Sequence, residues 1–208
     1  MKQLFIVRHG QTAYNKQKIV QGRGINADLN ETGREQAAQF YQAYKDEPFD
    51  KIYASNLKRS QQSIANFVEE GRPLNIRPNL DEISWGKYEG QKLSSEMKLE
   101  FEKLRHQWYA GNTSVTMPKG ESADDLSNRV QVFLQGIAET DAKKILICSH
   151  GRTIRIMMCL LTGVPIADMR TYDPENLALY QVNWEPPKLG EIVKNNFIEH
   201  LEKIQKSK

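Results

Sequence analysis

Cysteine is nearly absent from this 208-residue chain: there are two, Cys148 and Cys159. Both sit in apolar runs and fit no metal-ligand or redox spacing. That argues against a disulfide scaffold and points to buried thiols in a reducing compartment, the cytoplasm. Long apolar runs are missing too. Nothing approaches the roughly 18 residues of a membrane span, and the first apolar stretch is shorter than the roughly 7–15 residues of a signal-peptide core. Charge of one sign is also lacking. With 29 basic and 26 acidic residues the formal net charge is +3, so composition gives no argument for a nucleic-acid partner. Lys203, Lys206 and Lys208 do gather at the end, where a solvated terminus accounts for them. Histidine is sparse, with four in the chain, so their positions carry information.

Two of the four follow apolar strands. Leu4-Phe5-Ile6-Val7 reads as a buried strand delivering Arg8-His9-Gly10 to its C-terminal end. Lys144 to Ser149 reads as another, ending in His150-Gly151. In open α/β sheets ligands bind at the C-terminal ends of the strands, so both histidines would project into one crevice. The glycine after each would let the backbone turn sharply.

Between these strands the pattern alternates. A polar loop covers Gln11 to Asp28. A helix follows from about Thr32, capped by Asn30 or Thr32, with Ala37, Phe40, Tyr41 and Tyr44 on one face. A strand is expected at Lys51–Ala54, a helix at Leu57–Glu70 and a short strand at Leu74–Arg77. Further on come a helix at about Ser94–Trp108 and one opened by a Ser122/Asp125 capping box and running to about Thr140. A helix over about Thr153–Leu161, a hairpin over Leu177–Val193 turned at Pro186-Pro187 and Gly190, and a short helix from about Phe197 complete the chain. Strands alternating with helices imply a single α/β domain over residues 1–208, with a mostly parallel sheet and helices on both faces.

A third strand-to-helix turn, Ser55 to Ser60, places Arg59 in the first turn of a helix, where free N–H groups and the dipole favour anions. Arg8, Arg59, His9 and His150 gathered in one crevice call for an anion. Phosphate suits them, because guanidinium forks match its oxygens. A proton donor for a leaving alkoxide is then needed, and Asp81, Glu82 and Glu89 all compete for that role.

With these residues assembled, the chain resembles the histidine phosphatase superfamily, also called the phosphoglycerate-mutase-like family. Leu4 to Thr12 with Asn15, Gln21-Gly22 with Asp28 to Gly33, Ser55 to Ser63, Leu80 to Ile83 with Gly86 and Glu89-Gly90, and Ser149-His150-Gly151 resemble its motifs, in its order. The resemblance implies a three-layer α/β/α sandwich. It makes His9 the nucleophile that forms phosphohistidine and Glu82 the acid. Arg8, Arg59, His150 and Gly151 would surround the phosphoryl oxygens, and Asn15, Gln21 and Gly22 would line the substrate side. It implies a small phosphorylated substrate and neither metal nor cofactor. Mutases of this family carry a longer insert before the second histidine, with an adjacent arginine pair. Here Trp85 to Glu121 is modest and offers only Arg105-His106. A phosphomonoesterase is therefore favoured over a phosphoglycerate mutase, and a non-catalytic phosphate-binding module comes last because His9 and Glu82 are both present.

Overall fold

The computed structural model describes residues 1–201. The lysines at 203, 206 and 208 lie outside the described residues. In chain order the elements are β1 (Lys2–Arg8), α1 (Ala13–Gln17), α2 (Glu31–Tyr44), β2 (Lys51–Ala54), α3 (Lys58–Ser63), α4 (Ala65–Glu69) and β3 (Leu74–Ile76). There follow α5 (Ser95–Tyr109), α6 (Ala123–Ala138), β4 (Lys144–Ser149), α7 (Gly151–Thr162), β5 (Leu179–Trp184) and β6 (Glu191–Phe197).

One six-stranded sheet has the order β3-β2-β4-β1-β5-β6. The first four are mutually parallel, and β5 and β6 add the antiparallel hairpin expected near the C-terminus. Residue alternation along the central strands feeds two cores. Leu4, Ile6, Ile145 and Ile147 pack under α5, α6 and α7, while Phe5, Val7, Leu146 and Cys148 pack under α2 and α4. This is the α/β/α sandwich. The helices after β1 and β4 therefore lie on opposite faces, and the two strands are neighbours. That arrangement is a topological switch point, which opens a crevice at the strands' C-terminal ends.

Local chemistry explains the helix limits. Asn30 caps α2, accepting from the Gly33 N–H at 2.8 Å, so the helix begins one residue before Thr32. The Ser122/Asp125 capping box forms as expected. The polar loop expected over Gln11 to Asp28 contains a short helix of its own, α1, held by a Thr12/Asn15 capping box. The single helix expected over Leu57–Glu70 is broken at Ile64, whose φ and ψ are −126° and 13°. Ser63 causes this break. Its hydroxyl donates to the Arg59 carbonyl one turn back at 2.6 Å and accepts from the Gly10 N–H at 2.8 Å. Such back-bonding bends helices, and here it ties α3 to the end of β1. The helix expected from Phe197 is also different: β6 runs through Phe197, and a 3₁₀ turn covers Glu199–Leu201. No helix among the described residues is long and apolar enough to cross a membrane. Both cysteines are buried and free, and burial pushes both thiols up, Cys159 to about 12.

Candidate active site

Strand register brings the two histidine turns together. Arg8 lies opposite Ser149 in the parallel β1–β4 pair, and the His9 N–H continues the ladder to the Ser149 carbonyl at 2.9 Å. His9 and His150 thus leave adjacent strands at the same level, and their ring centroids are 5.1 Å apart. Gly10 is needed for a reason other than a sharp turn. It does not adopt positive φ; a Cβ there would stand 2.6 Å from the Gly33 carbonyl oxygen, so its absence lets α2 close onto the strand end.

Both histidines are buried, and their tautomers follow from their partners. His9 Nδ1 faces the Gly10 carbonyl at 2.7 Å. A carbonyl only accepts, so Nδ1 carries the hydrogen and Nε2 keeps its lone pair. Burial, then the charges of Arg59 and Arg8, hold the His9 imidazole well below its ordinary value, so the ring is neutral at pH 7. His150 Nδ1 accepts from Arg59 Nε at 3.2 Å. Its Nε2 therefore donates to Ser55 Oγ at 2.7 Å, and Ser55 lies 2.7 Å from Ser60 Oγ. Burial and the neighbouring cations keep His150 neutral as well.

Arg59 is fully buried, which a first-turn arginine on a surface helix would not be. Its Nη1 and Nη2 donate to the carbonyls of Ile25 and Gly22 at 2.5 and 3.3 Å. Burial lowers its guanidinium to about 10. Two of its five hydrogens remain for another acceptor. Arg8 Nη1 donates to the Pro174 carbonyl at 3.0 Å. Its Nε is buried with no partner among the described residues, a costly state for a donor unless an acceptor arrives.

The three competing carboxylates have separate surroundings. Glu89 is a backbone staple that accepts from the N–H groups of Gly24 and Trp85, both at 2.8 Å. Gly22 packs directly against it. Asp81 accepts from the Asn56 N–H and pairs with Arg23 at 3.4 Å. Glu82 instead sits at the N-terminus of α7, a natural seat for an anion. It accepts from the N–H groups of Arg152 and Thr153 at 3.1–3.2 Å and from the Thr153 hydroxyl at 3.3 Å. A Cβ placed on Gly151 would be 3.7 Å from both Arg8 Nε and Glu82 Oε2, so this glycine occupies the gap between them. Arg8, Glu82, Trp85, Gly151 and Arg152 line a cavity of about 180 Å³.

Gln21 lines a second cavity of about 470 Å³, which shares Trp85 and Arg152 with the first. Its amide donates to Thr12 Oγ1 at 2.9 Å, and its buried Oε1 has no partner among the described residues. Asn15 is turned back into the α1 capping box and lines neither cavity. Among the described residues no three His, Cys, Asp or Glu side chains gather so as to hold a metal ion.

One important residue gave no sequence signal. Arg129, on α6, spends its guanidinium on the segment that carries Glu82. It donates to the carbonyls of Asn79, Asp81 and Glu82 at 2.8, 2.7 and 3.1 Å and to both Glu121 oxygens at 3.0 and 3.1 Å. These partners are about 50 residues away in sequence for the carbonyls, a distance at which no local pattern reports the contact.

Strand-end histidines with buried guanidinium groups, at the switch point of an α/β/α sandwich, define a class of phosphoryl-handling proteins, and the comparisons agree. The model of the histidine phosphatase superfamily (branch 1) matches residues 4–196, and the chain belongs to that family. A relative from Hydrogenobacter thermophilus, provisionally named phosphoserine phosphatase 2, is 29% identical over 90% of this chain and 92% of its own. One from Yersinia pestis, provisionally named phosphoglycerate mutase, is 29% identical over 89% of this chain and 86% of its own. The solved structure of an Entamoeba histolytica phosphoserine phosphatase variant shares the fold at 22% identity, with a TM-score of 0.82 over 97% of this chain and all of that one.

Proposed function

We propose that this enzyme is a phosphomonoesterase working through a phosphohistidine on His9. The observation that carries the reading is the pairing of a neutral His9, its Nε2 lone pair free, with a buried Arg8 donor that lacks an acceptor.

His9 Nε2 attacks phosphorus and the bond to the ester oxygen breaks. Glu82 is the proton donor to the departing oxygen. The positive charge that develops on the ring is met at Nδ1–H by the Gly10 carbonyl. Arg8 Nε and the two remaining Arg59 hydrogens hold the equatorial oxygens and stabilise the charge that develops on them. His150 acts behind them: its Nδ1 accepts from Arg59 Nε at 3.2 Å and its Nε2–H is held by Ser55, so it fixes the guanidinium that faces the phosphoryl oxygens. In the second half a water attacks phosphorus, Glu82 takes its proton, and the P–N bond breaks. Phosphate is released and His9 returns to its neutral state. Position supports Glu82 as the acid: of the three carboxylates it alone reaches Gly151, beside Arg8.

The test is a phosphate-release screen across sugar phosphates, phosphoglycerates, nucleotides and phosphopeptides, run beside a coupled mutase assay. Hydrolysis exceeding transfer supports the reading. Transfer between glycerate hydroxyls exceeding hydrolysis would replace it with the mutase.

A further inference from the structure

The residue after Gly151 places a second cation beyond Glu82. The Arg152 N–H is bonded to the Glu82 carboxylate, but its side chain leaves in another direction. The guanidinium carbon lies 5.7 Å from the ring centroids of both Trp85 and Trp108, which stack on each other at 6.1 Å. The Tyr109 hydroxyl is beside it, and Nη1 approaches the Met169 sulfur at 3.7 Å. Among the described residues no carboxylate lies within ion-pairing distance of this group. Its neighbours differ. Arg155 pairs with Asp173, and Arg105 is 3.9 Å from Glu102. Burial lowers Arg152 from its ordinary value. Indole faces attract a cation but do not neutralise it, so a half-buried guanidinium that no carboxylate pairs directly, and that only Glu82 balances at longer range, is open to an anion from outside.

The place of that anion follows from the mechanism, on whose phosphatase reading this inference rests. Arg8 and His9 hold the phosphoryl group, and Glu82 stands at the ester oxygen. Whatever lies past Glu82 meets the leaving group. Arg152 lines both the cavity shared by Arg8 and Glu82 and the larger one bounded by Val20, Leu93 and Phe101. We infer that Arg152 is a specificity residue, which pairs with a carboxylate carried on the leaving group within a few bonds of the ester oxygen. A guanidinium fork matches a carboxylate in two parallel hydrogen bonds, and the apolar walls of the larger cavity suit a short carbon skeleton.

The experiment compares two esters that differ at one carbon: 3-phosphoglycerate, with a carboxylate, and glycerol 3-phosphate, with a neutral hydroxymethyl group. p-Nitrophenyl phosphate serves as a third substrate. The wild-type enzyme should favour 3-phosphoglycerate in kcat/KM by about tenfold or more, as a charge-assisted pair implies. In Arg152→Gln, which keeps the N–H to Glu82, that ratio should fall to near one, chiefly through KM. Arg152→Lys should keep part of it. A wild-type ratio near one, or a ratio unchanged in Arg152→Gln, overturns the inference. A wild-type ratio near one overturns it even if a variant fails to fold, and Lys98→Ala and Arg105→Ala, on the other cations lining the larger cavity, should leave the ratio unchanged; a ratio lost in either overturns the assignment to Arg152. Turnover of p-nitrophenyl phosphate with neither glycerol ester accepted overturns the subsite alone. No turnover of any of the three, with no phosphate released in the wider screen either, overturns the phosphatase reading beneath it.

Discussion

Replacing Glu82 by glutamine separates its proposed chemistry from its place in the fold. The carboxylate accepts through Oε1 from the N–H groups of Ile83, Arg152 and Thr153, and through Oε2 from Arg152 alone. A glutamine whose carbonyl takes the Oε1 position keeps every one of these donors satisfied, because Arg152 N–H already reaches Oε1 at 3.2 Å. The loss in stability should therefore be small, about 1 kcal/mol for a weakened charge-assisted bond. The loss in chemistry should be large and depend on the leaving group. An alkyl ester needs its departing oxygen protonated, a contribution of about 10²–10⁴-fold, or roughly 2.7–5.5 kcal/mol of barrier. p-Nitrophenolate leaves without a proton. The assay is kcat/KM of wild type and Glu82→Gln on an alkyl phosphate and on p-nitrophenyl phosphate, which reports only steps up to transfer onto His9. Glu82→Gln should lose about 10²-fold or more on the alkyl ester and less than about tenfold on the aryl one. Equal losses on both would refute the assignment of Glu82 as the acid.

Other outcomes follow from the same geometry. Arg129→Lys keeps the charge but loses the fork that holds the carbonyls of Asn79, Asp81 and Glu82. It should cost about 2–3 kcal/mol in denaturant titration and make the enzyme more sensitive to leaving-group basicity, as Glu82→Gln does; a merely structural role would leave that sensitivity unchanged. Ser55→Ala strips a partner from both the Leu57 N–H and His150 Nε2, and should destabilise by about 2–4 kcal/mol by the same titration. His9, His150 and His200 are all held below the ordinary 6.5, first by burial. The unfolded chain takes up protons at these positions below that pH while the folded chain does not. Stability is then fully present above about pH 6.5 and falls as pH drops, by up to about 1.4 kcal/mol per pH unit for each histidine. A urea midpoint that holds or rises from pH 7.5 to 5.5 would contradict this.

The parts of this protein that were legible in its sequence are those written in local pattern. The strands before Arg8 and His150 are apolar runs ended by histidine and glycine, and the caps at Asn30 and Ser122 are single-residue signals. The rest depends on partners far along the chain. The break at Ile64 arises because Ser63 reaches Gly10, which no helical periodicity registers. Gly10 itself resembles a turn glycine until Gly33 is seen against it. Asp81, Glu82 and Glu89 are equivalent in sequence and differ only in what they touch: Arg23, the start of α7, and the backbone of the 22–24 loop. Arg59 is legible as an anion-site residue at a helix start, but its complete burial comes from Gly22 and Ile25, whose carbonyls take its Nη2 and Nη1. Arg129 escaped the sequence reading because it lies in no motif, and Arg152, although it follows the His150-Gly151 turn, escaped it because its neighbours Trp85 and Trp108 are brought near only by folding.

The covalent intermediate is the centre of the account. Rapid acid-free quench during turnover of a ³²P-labelled monoester, followed by peptide mapping, should place an acid-labile, alkali-stable phosphoryl group on His9, and none in His9→Ala, which should remain folded. Label on a serine, label persisting in His9→Ala, or steady hydrolysis with no protein-bound phosphate at any quench time would contradict it.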